Sequence, residues 1–129
     1  MSNVILDKSK SFANRIIKLN KYLREAHKEF VISKQILRSG TSIAANVREA
    51  HASRSDNEFV SKMSIALQEA AETELWLELL HSNKYLTDKE FKSIYPECNE
   101  INKILISIVK KMNEKIKNIN IKNMKSKRK

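Results

Sequence analysis

In 129 residues the chain contains one glycine, Gly40, and one proline, Pro96. Tight turns draw on glycine for positive φ and on proline for fixed φ, so this scarcity all but closes off a turn-rich all-β fold. Long helices with few interruptions are what remains. A length of 129 residues fits one domain, and a 41% hydrophobic content supplies its core. The lone Cys98 rules out an internal disulfide and suits a reducing cytoplasm. No apolar run approaches the roughly 20 residues that span a membrane. The opening residues lack a basic segment followed by a long apolar stretch, so no signal peptide is expected. Composition thus predicts a soluble, cytoplasmic, all-α domain without membrane association.

Apolar spacing predicts four helices. Phe12, Ile16, Leu19 and Leu23 recur at helical intervals, with Ile5 one heptad earlier, which places a first helix over 4–26. A second runs from Glu29 to Ser53 on Ile32, Ile36, Ile43, Val47 and Ala50. Gly40 costs that helix about 1 kcal/mol relative to alanine. The apolar phase is the same on both sides of Gly40, so the helix is expected to continue through it and let another backbone approach closely. Ser55-Asp56-Asn57-Glu58 and Thr87-Asp88-Lys89-Glu90 are capping boxes that open the third and fourth helices. Phe59, Met63, Ala66, Ala70, Thr73 and Leu77 line the third. Phe91, Ile94, Cys98, Ile101, Leu105, Ile108, Met112 and Ile116 line the fourth. Pro96 removes a hydrogen bond within that pattern and predicts a kink or an irregular turn. Periodicity lapses near Lys117. The expected architecture is an up-down-up-down antiparallel four-helix bundle over 1–117, with a disordered basic C-terminal tail over 118–129.

Charge is distributed unevenly. The formal net charge is +10, yet Lys110–Lys129 alone holds nine bases against the single acid Glu114, a net of +8. Residues 56–100 hold four bases and ten acids. A basic first helix and tail therefore flank an acidic middle. Basic ends attract polyanions through counterion release without reading sequence. Lys8, Lys10, Arg15, Lys18, Lys21 and Arg24 are the candidate ordered nucleic-acid contacts. Lys122, Lys125, Lys127, Arg128 and Lys129 are the flexible ones. The plainer alternative is a solvated terminus that keeps the protein in solution, and the acidic stretch could equally dock a neighbour's basic end. With only Tyr22 and Phe12 near these bases, phosphate contacts are expected and stacking on single strands is not.

The third helix carries more apolar surface than a lone bundle needs. Leu77 faces the core, while Leu75 and Leu79 point about 160–200° away, and Trp76 lies on the flank. Ile104 and Ile106 add to the excess on the fourth helix. A second apolar face implies burial against something else, so Leu75, Trp76 and Leu79 are the candidate interface of a homo-oligomer. Trp76 is its anchor. The competing function is a protein-interaction scaffold that offers this surface to another protein and binds no nucleic acid.

Catalytic and metal chemistry is not apparent. A di-iron bundle needs two Glu-x-x-His pairs, and Glu78-Leu79-Leu80-His81 is the only one. His27 and His51 have no partner at metal-ligand spacing, and no glycine-rich phosphate loop exists. Cys98 falls on the core stripe and reads as a small buried hydrophobe. No catalytic residue, metal, cofactor or small-molecule substrate is expected.

A polar stripe borders the apolar face of the second helix: Ser39, Ser42, Asn46, Glu49 and Ser53. Interhelical hydrogen bonding explains it most simply, ligand binding less so. The run Leu37-Arg38-Ser39-Gly40-Thr41-Ser42-Ile43-Ala44-Ala45-Asn46-Val47-Arg48-Glu49-Ala50, followed by Arg54, Phe59, Ile65-Ala66, Glu72 and Glu74, resembles the bacterial four-helix-bundle family of the 23S rRNA intervening-sequence proteins. The likeness extends over residues 8–116. It departs at Ala50, where the family usually has glycine, and at Glu69, where serine is common. The resemblance implies a bundle assembled as a ring, commonly a homopentamer, with no established enzymatic activity. The family is distantly similar to the accessory protein of diversity-generating retroelements, which binds nucleic acid through a basic surface. It also implies a shared polar network of Ser42, Asn46, Glu49 and Glu72 between the second and third helices, with Arg38, Arg48 or Arg54 as partner.

Overall fold

The computed structural model describes residues 2–127. Four helices follow one another: α1 (Ser2–Ala26), α2 (Ile32–His51), α3 (Asp56–Ser82) and α4 (Asp88–Lys127). Among the described residues there is no strand. The predicted stripes, extended by Leu80, form one core in which Phe12, Ile16 and Leu23 meet Ile36, Ile43 and Val47, then Met63, Leu77 and Leu80, then Ile101 and Leu105. Phe59, Phe91 and Ile108, expected in that core, pack at its margin.

Both predicted N-caps form, but only the second closes as a full capping box: the Glu58 carboxylate accepts from the Arg54 N–H rather than from Ser55. Ser55 Oγ accepts from the Glu58 N–H at 3.0 Å. At α4 the box closes both ways, with Thr87 Oγ1 accepting from Glu90 N–H at 3.1 Å and Glu90 Oε1 from Thr87 N–H at 2.8 Å. The start of α2 uses different chemistry. The helix opens at Ile32, three residues later than spacing predicts, because the Glu29 carboxylate turns back onto its free N–H groups. It accepts from Val31 (3.1 Å), Ile32 (3.0 Å) and Ser33 (2.7 Å). Partial burial pushes the Glu29 carboxyl up, but these bonds outweigh it and hold the group below its ordinary value.

Helices that pack side by side touch in opposite residue order. From α1 to α4, Lys8 meets Glu100 and Arg15 meets Glu97. From α2 to α3, Arg38 meets Glu69 and Glu49 meets Lys62. From α3 to α4, Asp56 meets Lys115 and His81 meets Asp88.

α2 runs through Gly40 without interruption, and the reason lies on α1. A Cβ at Gly40 would sit 2.8 Å from both Cγ1 and Cγ2 of Ile16. The glycine therefore lowers helix propensity in exchange for a closer α1–α2 approach. α4 likewise continues through Pro96. Pro96 and Lys92 are both exposed, so water can reach the Lys92 carbonyl that the proline cannot serve.

The expectation of a disordered tail over 118–129 is corrected: α4 is helical to Lys127, while Arg128 and Lys129 lie outside the described residues. Propagating an existing helix needs no new nucleus, and neither glycine nor proline follows Pro96. Beyond the Lys115–Asp56 pair (3.4 Å) the helix runs about 18 Å further at 1.5 Å per residue, and every residue from Lys117 to Lys127 is exposed.

Gly40→Ala should lower stability by about 1–2 kcal/mol, because overpacking Ile16 exceeds the gain in propensity. In an Ile16→Ala background the same change should stabilise by up to about 1 kcal/mol. Urea unfolding of the double-mutant cycle reads the reversal of sign.

Candidate functional site

The polar stripe of α2 divides in two. Ser42 Oγ donates to Arg38 O (2.6 Å), Thr41 Oγ1 to Leu37 O (2.7 Å) and Asn46 Nδ2 to Ser42 O (2.9 Å), all within α2 itself. Ser39, Glu49 and Arg38 instead reach α3. Arg38 forks onto Glu69 (3.0 Å) and Glu72, and Glu49 pairs with Lys62 at 2.9 Å. Arg48 and Arg54 make no ion pair among the described residues. In the core, Thr73 Oγ1 lies 2.8 Å from both Ser39 Oγ and Glu69 O. One hydroxyl has one proton, so Thr73 donates to the carbonyl and Ser39 donates to Thr73.

A second polar group joins α3 to α4, and sequence reading passed over it. The Tyr95 hydroxyl bridges Glu74 (3.0 Å) and Glu78 (2.7 Å), and Asn102 also donates to Glu74. The Glu78 hydrogen bond, burial and the Glu74 carboxylate together drive the Tyr95 hydroxyl above its ordinary pKa. The i, i+4 spacing of Glu74 and Glu78 was the available signal. Beneath lies Cys98, its Sγ 3.6 Å from Ala70 O. Burial and the Glu74 charge raise its pKa, which keeps the thiol protonated and poorly nucleophilic.

The six bases singled out on α1 have different fates. Lys8 is tied to Glu100 at 2.6 Å. Arg15 reaches Glu97 (2.8 Å), Ser93 O (3.0 Å) and Ser93 Oγ (2.9 Å). Arg24 Nε donates to Asn20 Oδ1 at 3.0 Å. Lys10, Lys18 and Lys21 are exposed and make no ion pair among the described residues. Lys122, Lys125 and Lys127 ride the projecting end of α4.

Of the proposed interface residues, Leu75 is 48% exposed, while Trp76 and Leu79 are half-buried. Trp76 Nε1 is buried with no hydrogen-bond partner. Among the described residues no set of three His, Cys, Asp or Glu side chains is placed to hold a metal. No helix there is long and apolar enough to cross a membrane.

Four consecutive helices closed on one apolar core, with polar links added between α2 and α3 and between α3 and α4, define an all-α helical protein. Within that class the chain belongs to the family of 23S rRNA-intervening sequence proteins, whose profile matches residues 1–107. A crystal structure of a protein of unknown function from the S23 ribosomal protein family of Bacteroides thetaiotaomicron VPI-5482 is similar, with a TM-score of 0.82 and 56% identity. The likeness covers 84% of this chain and 97% of that one. No curated protein matches the chain.

Thr73→Val should cost about 1–3 kcal/mol in urea unfolding, because it strands the buried Ser39 hydroxyl. Adding Ser39→Ala should recover most of that loss, since two apolar groups leave no donor unpaired.

Proposed function

We propose that this chain is a non-catalytic, homo-oligomeric protein that binds RNA or DNA through basic surfaces with little sequence discrimination. The observation that carries this reading is the projecting end of α4. Helix geometry holds Lys117, Lys122, Lys125 and Lys127 clear of the body, and no acid follows Glu114. Such a rod offers phosphates a track of separated cations and no matching shape for a base, which suits binding by counterion release. Lys10, Lys18 and Lys21, free of acidic partners, add a second basic surface on α1. The absence of catalysis is supported by a protonated, buried Cys98 and by carboxylates already committed to Tyr95, Arg38 and Lys62. A cytoplasmic setting is part of the same reading, supported by the absence of any cysteine pair that would call for an oxidising compartment.

The arrangement is an up-down-up-down antiparallel bundle, supported by the reversed order of contacts between helices that pack side by side. Self-association, pentameric by the family resemblance, is supported by the exposed Leu75 beside half-buried Trp76 and Leu79. A ring would repeat each basic rod and multiply weak contacts into strong ones.

Light scattering on the full chain should give a particle several times the 15.0 kDa chain mass. Leu75→Glu with Leu79→Glu should shift it toward the monomer; a monomeric native protein overturns the assembly. In filter binding, affinity for a nucleic-acid duplex should fall linearly in log–log with salt. Replacing Lys122, Lys125 and Lys127 by glutamine should flatten that slope by about 2–3, at roughly 0.9 per lost phosphate contact. No binding at low salt ends the reading.

A further inference from the structure

Where α1 passes the beginning of α4, a groove of about 460 Å³ opens between them. Its floor is apolar, made by Leu19, Leu86 and Ile94, each almost wholly buried. Its walls are not. Arg15 and Lys18 come from α1 and Lys89 from the first turn of α4, with the Ser93 hydroxyl between them. Lys18 and Lys89 make no ion pair among the described residues. Arg15 is held in place by Ser93 and Glu97 rather than left to sweep solvent. Tyr22, 38% exposed as a residue, closes one side. Its ring is braced: the hydroxyl lies 3.1 Å from His27 Nε2, and the two rings pack edge to face at 5.1 Å.

We propose that this groove receives one unpaired nucleotide of a single-stranded nucleic acid, its base against Tyr22 and its phosphate at Lys18 and Arg15. This assignment rests on the nucleic-acid reading given above and adds a preference for unpaired strands. The combination carries it. Cations alone would serve any polyanion, but a braced aromatic ring over an apolar floor is what an unstacked base requires and what a paired base cannot reach. The volume falls within the range of sites that enclose small ligands.

The one carboxylate lining the groove, Glu90, restricts how the nucleotide can lie. It is fastened at 2.8 Å to the Thr87 N–H, so it stays in place and repels phosphate. The phosphate is thereby confined to the Lys18–Arg15 end. Burial and the Glu90 carboxylate raise the pKa of the neighbouring Tyr22 hydroxyl, which keeps the ring neutral beside the base.

The test uses the full chain with a fluorescein-labelled 12-nucleotide uridine RNA and, separately, its duplex with the complementary adenosine strand. Anisotropy titrations at low salt should show the single strand bound about tenfold more tightly. Tyr22→Leu should weaken single-strand binding by about tenfold and leave duplex binding unchanged. Lys89→Glu, an exposed change, should weaken the single strand more than the duplex, and so provides the readout if Tyr22→Leu folds poorly. Lys122→Gln with Lys125→Gln should weaken both probes alike. Binding of both probes with equal affinity and no dependence on Tyr22 or Lys89 overturns the groove while leaving the basic rod standing. Binding of neither overturns both.

Discussion

The seating of Ile16 on the bare backbone of Gly40 is the contact from which the rest of the molecule takes its dimensions. A branched side chain pressed where a Cβ would otherwise stand fixes how deeply α1 lies against α2. Asn20, one turn beyond Ile16, reaches the Ser33 carbonyl at 2.9 Å and holds the same pair of helices at its far end. With α1 so placed, the side of that helix bearing Arg15, Lys18 and Tyr22 is turned toward α4. A less intimate α1–α2 joint would rotate that side away and separate Arg15 from Ser93. Helix propensity lost at one residue thus governs the geometry of a surface on the opposite side of α1.

Much of this architecture could be read from the residues. Apolar recurrence found all four helices, and the two capping boxes located the starts of α3 and α4 to the residue. The unbroken phase across Gly40 correctly indicated continuity. What escaped was the chemistry that depends on neighbours far along the chain. Glu29 was assigned to the second helix, because a carboxylate that caps from outside the first turn looks in sequence like a helical glutamate. The lapse of the amphipathic period reads as a disordered tail over 118–129, yet the chain stays helical to Lys127. A helix already nucleated upstream does not need such a period.

The candidate surfaces show the same division. Counting charges located the basic face of α1 and the basic end of α4. It could not reveal that Lys8 and Arg15 are answered by Glu100 and Glu97, since those partners sit more than eighty residues away. Nor could it bring Lys89 beside Lys18 and Tyr22. Sequence reading found Tyr22 too isolated among the bases to matter for stacking. The fold supplies the missing company from the first turn of α4. Ser42 and Asn46 show the opposite error. The family resemblance implies a link to α3, yet each spends its hydrogen bond on a carbonyl of its own helix, where a short polar side chain finds the nearest acceptor.

The projecting end of α4 has a practical consequence. Lysines at 117, 122, 125 and 127 lie on an exposed stretch of helix beyond the last ion pair to the body, and a terminal helical turn opens far more often than the packed body. Trypsin-like proteases act on such openings. The first cuts therefore fall here and strip the molecule of up to half of its formal net charge while sparing the core. A preparation nicked in this way keeps its helical signature and its melting behaviour but differs from intact protein in its affinity for polyanions. Two samples identical by circular dichroism can then disagree on whether the protein binds nucleic acid at all, and the mass of the intact chain is what tells them apart.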